Sequence, residues 1–307
     1  MVTAIEPKGE EFNYINQLWL SDLSGKSQPV QLTSKENAGQ PAWSPDGKQI
    51  AFVRNVENKQ QIFLLPLQGG EAKQLTNHRY GASNPQFSPD GKKILFSASI
   101  AFKDLLTDSA LNPGKQPPTW PSERPGYSET NNSNAQPDPN GSIEQIRADL
   151  DKNNTEGKAR VIHRLNFQDE MNVNPDLSFN HYFQIELTPD AKPQALTRGF
   201  FRYGNASYLP NGEILLIGQI DSLNHPDRSR GNQVYRISTD GKWTTLLNGD
   251  ETQYSNLRSS PTGKSLAFLK SPEDGIQIPE LCVMSLNDSK SIKTFSFDRN
   301  KIGRAHV

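Results

Sequence analysis

The chain has 307 residues, room for one large all-β domain or two ordinary ones, and its 33 basic and 34 acidic residues leave a net charge of −1. No segment gathers Lys and Arg into a patch able to neutralise a run of phosphates, which argues against a nucleic-acid partner. A hydrophobic share of 33%, a mean hydropathy of −0.72 and 22 residues each of Gly and Pro describe many short strands joined by polar turns.

The first twenty residues contain no apolar leader core, and no stretch is long enough to cross a bilayer, so the expectation is a cytoplasmic chain with no membrane partner. Val2-Thr3-Ala4-Ile5 reads as the closing half of a hairpin, so that residues 1–33 form a partial blade. A repeat then begins. Pro41-Ala42-Trp43-Ser44-Pro45-Asp46-Gly47-Lys48-Gln49-Ile50-Ala51-Phe52 recurs as Pro85-Gln86-Phe87-Ser88-Pro89-Asp90-Gly91-Lys92-Lys93-Ile94-Leu95-Phe96. Weaker copies start at Ala206 and Leu257. Each copy is a hairpin, with Pro pre-setting φ at the turn and Gly accepting the positive φ that follows.

A second hairpin follows each first, and several end on Leu-Thr, at Leu32-Thr33, Leu75-Thr76 and Leu196-Thr197. Two hairpins make a four-stranded sheet that cannot bury both its faces alone and must stack on its copies. The predicted fold is therefore all-β, an incomplete β-propeller of about five four-stranded antiparallel blades occupying residues 1–300. The blades are the partial 1–33, then 41–76, 84–197, 204–248 and 254–297. The third carries an insertion, 100–158, whose centre is rich in Pro, Gly, Asn and Ser, and whose flanks Ile100–Leu106 and Ile143–Leu150 have helical spacing. Residues 301–307 fit no strand or turn and read as a non-native tail from a translated sequencing adapter.

Trp-Ser-Pro-Asp-Gly-Lys hairpins belong to many propellers, including the TolB type. Ala159-Arg160-Val161-Ile162-His163-Arg164-Leu165-Asn166-Phe167, then His181-Tyr182-Phe183-Gln184-Ile185-Glu186-Leu187, closing on Gln194-Ala195-Leu196-Thr197, resembles the return to the sheet in bacterial acylaminoacyl-peptidase-like members of the prolyl oligopeptidase family. That resemblance implies an N-terminal propeller that restricts access to an α/β-hydrolase domain, so that peptide substrates are the implied partners and the propeller is itself inactive. The family's nucleophile stands on Gly-x-Ser-x-Gly. No such pentapeptide occurs here; Gly81-Ala82-Ser83-Asn84-Pro85 comes nearest and stands at the start of a strand. A stand-alone TolB-like interaction module is the alternative.

No catalytic, cofactor-binding or metal residue is assigned, and no cofactor is expected. Cys282, the one cysteine, excludes a disulfide framework and sits in an apolar run as a core residue. Asp221, His225 and Asp227, with Asn224 and Arg228, have a spacing that could hold a metal but read as solvated loop residues. His78, followed by Arg79-Tyr80, reads as a cavity-lining residue, and His163 and His181 as structural histidines on strands. Asp46, Asp90, Asn211 and Asp240 repeat in register as turn residues, and Trp43, Phe87 and Tyr208 as inter-blade packing.

Overall fold

The computed structural model describes residues 1–8, 11–34, 37–118, 135–155, 177–220, 231–249, 252–272 and 278–295. The chain divides into two compact units, Met1–Thr119 with Ser178–Val307, and Trp120–Leu177. In the smaller unit a helix, Ile143–Thr155, starts at a capping box. Ser142 N–H donates to Gln145 Oε1 (2.9 Å) and Gln145 N–H to Ser142 Oγ (3.5 Å), satisfying two of the amides a helix start leaves unpaired. Ala159–Phe167, Asp221 to Arg228 and the 301–307 tail lie outside the described residues.

The larger unit is a series of antiparallel sheets. It opens with β1 (Val2–Lys8) paired to β2 (Glu11–Gln17) and β3 (Trp19–Leu20) paired to β4 (Val30–Gln31). Four four-stranded sheets follow: β5 (Ala38–Trp43), β6 (Gln49–Val56), β7 (Lys59–Pro66) and β8 (Lys73–Gln74); then β9 (Ser83–Phe87), β10 (Lys93–Ala101), β11 (Ser178–Glu186) and β12 (Gln194–Ala195). The last two are β13 (Arg202–Tyr208), β14 (Ile214–Gln219), β15 (Gln233–Ile237) and β16 (Trp243–Leu247), and β17 (Thr252–Ser259), β18 (Ser265–Pro272), β19 (Glu280–Ser285) and β20 (Asp288–Phe295). A short helix, α1 (Phe102–Thr107), leaves β10 where the insertion begins, and the helix Ile143–Thr155 is α2.

The Pro-Asp-Gly turns show why the repeat exists. Ser44 Oγ donates to Asp46 Oδ1 (2.6 Å), which also accepts from Lys48 N–H (3.1 Å), while Gly47 at φ +68° donates to Ser44 O (2.9 Å). Ser88, Asp90, Lys92 and Gly91 repeat these bonds at 2.6, 3.1 and 2.8 Å. The repeated carboxylates are thus held as acceptors inside their own turns, which lowers the pKa of Asp46 and Asp90 mainly through the serine hydroxyls.

A buried threonine closes three of the sheets. Thr76 Oγ1 accepts from Ile62 N–H (2.9 Å) and donates to Gln61 Oε1 (2.7 Å). Thr197 accepts from Tyr182 N–H and Thr33 from Leu18 N–H, both at 2.9 Å. Leu18 separates β2 from β3, and its carbonyl accepts from Leu32 N–H (2.8 Å) as Ile62 O does from Leu75 N–H (2.8 Å). The opening sheet therefore has three strand positions, with β2 and β3 sharing one, where the later sheets have four.

Apolar faces join neighbours. Leu18 packs with Ala38, Ile50, Phe52, Phe63 and Leu65 of the next sheet. Leu95 and Tyr182 pack with Tyr203, Ala206, Ile214, Leu216 and Ile237, and Leu215, Ile217 and Val234 with Leu257, Leu266, Phe268, Cys282 and Met284. Cys282 is fully buried there. Phe87 and Tyr208 are half-buried, but Trp43 is 54% exposed, a correction to its expected packing role. The reason is local: the sheet before β5 offers only the two-residue β3–β4 ribbon on that side.

Two outcomes follow. Thr76→Val deletes the hydroxyl and strands Ile62 N–H, while Gln61 Oε1 keeps the His78 N–H, so urea denaturation should show a loss of about 1–3 kcal/mol. Glu57 and Asn58, at φ 49° and 63°, form the two-residue turn between β6 and β7. Glu57→Asn with Asn58→Gly should raise stability by about 1 kcal/mol in the same assay, because Glu pays for a left-handed backbone that Asn-Gly prefers.

Candidate functional site

The first strand of each four-stranded sheet is an edge strand. β9 packs beside β5 and β17 beside β13. Each is broken at one position by a bulge: the register shifts between Gly39 and Ala42, between the partners of Leu95 and Ser97, between Tyr203 and Ala206, and between Ser255 and Arg258. The bulged residues are Gln40, Asn84, Asn205 and Asn256, all exposed. Gln40, Asn84 and Asn256 lie at φ 51°, 54° and 54°. Asn tolerates the left-handed region, whereas Gln does so at a cost, so strain is stored at Gln40. Sequence reasoning passed over these residues, although the short pattern Gly/Ser-Gln/Asn one residue before each aligned Pro, Ala or Leu marks them.

Beside Gln40 a groove of about 390 Å³ opens between the β1–β2 ribbon and the β5–β8 sheet. Five carboxamides, Asn16, Asn37, Gln40, Asn55 and Gln60, line it together with Tyr14 and the cationic Arg54. Three of their oxygens are committed to the protein. Asn37 Oδ1 accepts from Asn16 N–H (2.7 Å), Gln40 Oε1 from Asn84 N–H (2.6 Å) and Asn16 Oδ1 from Thr3 Oγ1 (2.7 Å). A backbone N–H bonds only to oxygen, so the amide orientation of Asn37 and Gln40 is fixed. Their NH₂ groups have no partner among the described residues.

The same register positions recur between the β13–β16 and β17–β20 sheets, where Arg202, Gly204, Ile217, Gln219 and Asn232 line a groove of about 190 Å³. There the amide is spent. Asn232 Oδ1 accepts from Tyr254 N–H (2.8 Å) and its Nδ2 donates to Tyr254 O (3.1 Å).

The residues singled out in the sequence serve the framework. The His78 ring lies 4.5 Å from that of Phe183, with Nδ1 2.9 Å from Gly81 O, and burial lowers its pKa. Arg79 pairs with the buried Asp108, which also accepts from Tyr80 Oη (2.9 Å) and the N–H groups of Ala110 (2.8 Å) and Leu111 (3.1 Å). Burial would raise the Asp108 pKa, but these bonds outweigh it and hold it below the usual carboxylate value. This cluster fastens the chain at the start of the insertion. Ser83 Oγ, in the nearest thing to a nucleophile elbow, donates to Ser97 O (3.2 Å). Among the described residues no three His, Cys, Asp or Glu side chains converge as a metal site, and no helix is long and apolar enough to cross a membrane.

His181 occupies the register position of Gln61. It is fully buried, its Nδ1 lies 3.0 Å from Thr197 Oγ1, and Nε2 has no hydrogen-bond partner among the described residues. Burial pushes its pKa down to about 4, so the ring is neutral at pH 7 and shares one hydrogen bond between Nδ1 and Thr197 Oγ1.

Comparison with known proteins places these repeats. Residues 6–142 match the TolB beta propeller domain. A 63-residue stretch is 35% identical to the Tol-Pal system protein TolB of Albidiferax ferrireducens, covering 20% of this chain and 15% of that protein. Another, of 72 residues, is 31% identical to the uncharacterized peptidase YuxL of Bacillus subtilis, covering 23% of this chain and 11% of that one. Pyrococcus horikoshii acylaminoacyl peptidase superposes with a TM-score of 0.51 at 13% identity, covering 95% of this chain and 36% of the enzyme. The chain thus spans a minor part of each, and the structural likeness is one of fold.

His181 sets a pH dependence. Between pH 6.5 and about 4 the unfolded chain binds a proton that the native state refuses, so stability falls as pH drops through that window, by about 3 kcal/mol at most, and levels off below it. His181→Gln restores the side chain that Gln61 uses on Thr76, and urea denaturation at pH 4.5 and 7 should show that contribution gone.

Proposed function

We propose that this chain, which carries TolB-type propeller blades, limits access to the active site of a serine peptidase whose catalytic α/β-hydrolase domain belongs to the whole protein. In this reading the blades 1–33, 41–76, 84–197, 204–248 and 254–297 are parts of one propeller. The observation that carries it is the 72-residue likeness to a Bacillus subtilis peptidase. The physical argument is steric. Stiff sheets are locked face to face by apolar clusters, and a closed ring of such sheets borders a narrow passage with its first strands, which admits an extended peptide and excludes a folded protein.

A second reading, a stand-alone TolB-like interaction module, is favoured by the 35% identity to TolB and by the exposed Ile5, Phe12 and Tyr14 on the β1–β2 ribbon. One experiment separates the two. The product of the uninterrupted gene is treated with a fluorophosphonate probe and short chromogenic peptides, beside the 307-residue chain. The gating reading expects labelling of a serine and hydrolysis by the whole product, with the chain alone inert. A gene product that ends without a hydrolase domain and takes no label replaces it with the interaction module.

A further inference from the structure

Asn-Gly occurs three times in the chain, at Asn140-Gly141, Asn211-Gly212 and Asn248-Gly249, and the fold treats the three pairs differently. We propose that Asn248 is a site of spontaneous intramolecular deamidation, where Gly249 N attacks the side-chain amide and Asn248 becomes aspartate and isoaspartate. This holds whichever role the propeller has.

The pair lies where the chain leaves β16 for β17. Gly249 N–H donates to Asn248 Oδ1 (3.1 Å), so the attacking nitrogen stands beside Cγ, the carbon it has to reach. The nitrogen attacks only after losing its proton, and the negative charge is then shared with the carbonyl oxygen of the same peptide unit, Asn248 O. Tyr254, which is buried, donates its hydroxyl to that oxygen (2.9 Å), as an oxyanion-hole donor does. Thr252 N–H holds Gly249 O (3.1 Å), so the next peptide unit is anchored as well. A side chain at 249 would collide with Asn232 O, so the fold itself requires glycine, the residue that hinders this attack least. Asn248 is exposed, which admits the water that completes the reaction.

In the other two pairs the glycine nitrogen is committed elsewhere. Gly212 N–H donates to Leu209 O (2.9 Å) and Gly141 N–H to Asp138 O (3.3 Å). The Asn211 amide is itself held by Glu213, whose N–H donates to Oδ1 (3.2 Å) and whose Oε2 accepts from Nδ2 (2.8 Å).

The step balances without any redox partner. Gly249 N gives its proton to hydroxide, and its electron pair forms the bond to Asn248 Cγ. The Cγ–Nδ2 bond breaks as Nδ2 takes a proton from water and leaves as ammonia. Water then opens the cyclic imide at either carbonyl, giving aspartate or isoaspartate. Both put a carboxylate between the β13–β16 and β17–β20 sheets, and isoaspartate adds a backbone methylene there.

The test holds the folded 307-residue chain at mildly alkaline pH in heavy-oxygen water and maps its tryptic peptides by mass spectrometry. Residue 248 should take up heavy oxygen about tenfold or more faster than residues 140 and 211. In urea the three identical dipeptides should convert at similar rates, because the contacts that distinguish them are gone; this comparison needs no variant. Tyr254→Phe keeps the ring and removes the donor. With its melting transition retained, it should slow conversion at 248 about fivefold or more. Conversion at 140 or 211 that keeps pace with 248 in the folded chain, a lead of 248 that persists in urea, or an unchanged rate in folded Tyr254→Phe would overturn the proposal.

Discussion

A four-stranded sheet with two apolar faces has to be covered on both, and every other feature of this chain follows from that demand. In β14 all six residues from Ile214 to Gln219 are buried, Leu216 facing the preceding sheet's Leu95 and Tyr182, and Leu215 the following sheet's Leu266 and Phe268. Alternate residues of one strand thus belong to two different cores, as the two-residue period of a strand requires. No sheet is complete without its neighbour, and the repeat is the means by which each supplies what the next lacks.

Burying strands so completely also buries polar atoms, and these are satisfied by short-range devices. Serine and aspartate close the Pro-Asp-Gly turns, and threonine closes the outer strands. At the first strands the backbone departs from the ladder, and Gln40 reaches the neighbouring sheet's Asn84 amide. Most repeated polar residues are consumed in this way, which is why the repeated carboxylates carry no chemistry. Among the described residues, what is left over includes the NH₂ groups of Asn37 and Gln40 and a neutral histidine, His181, where another sheet has Gln61.

Read along the chain, the residues determine the hairpins, the four-strand unit, the Leu-Thr closures and the core position of Cys282, because turn chemistry and strand alternation are local properties. The role of Asp46 and Asp90 was legible for the same reason, since their partners lie two residues away. The packing of Trp43 was not: position in a repeat told what its counterparts do, but the wall opposite is made by a distant stretch, and at Trp43 that wall is nearly absent. The carboxamide groove depended wholly on tertiary structure. Which atom of Asn37 or Gln40 remains free is decided by the amides of Asn16 and Asn84, and only folding brings those within hydrogen-bonding distance.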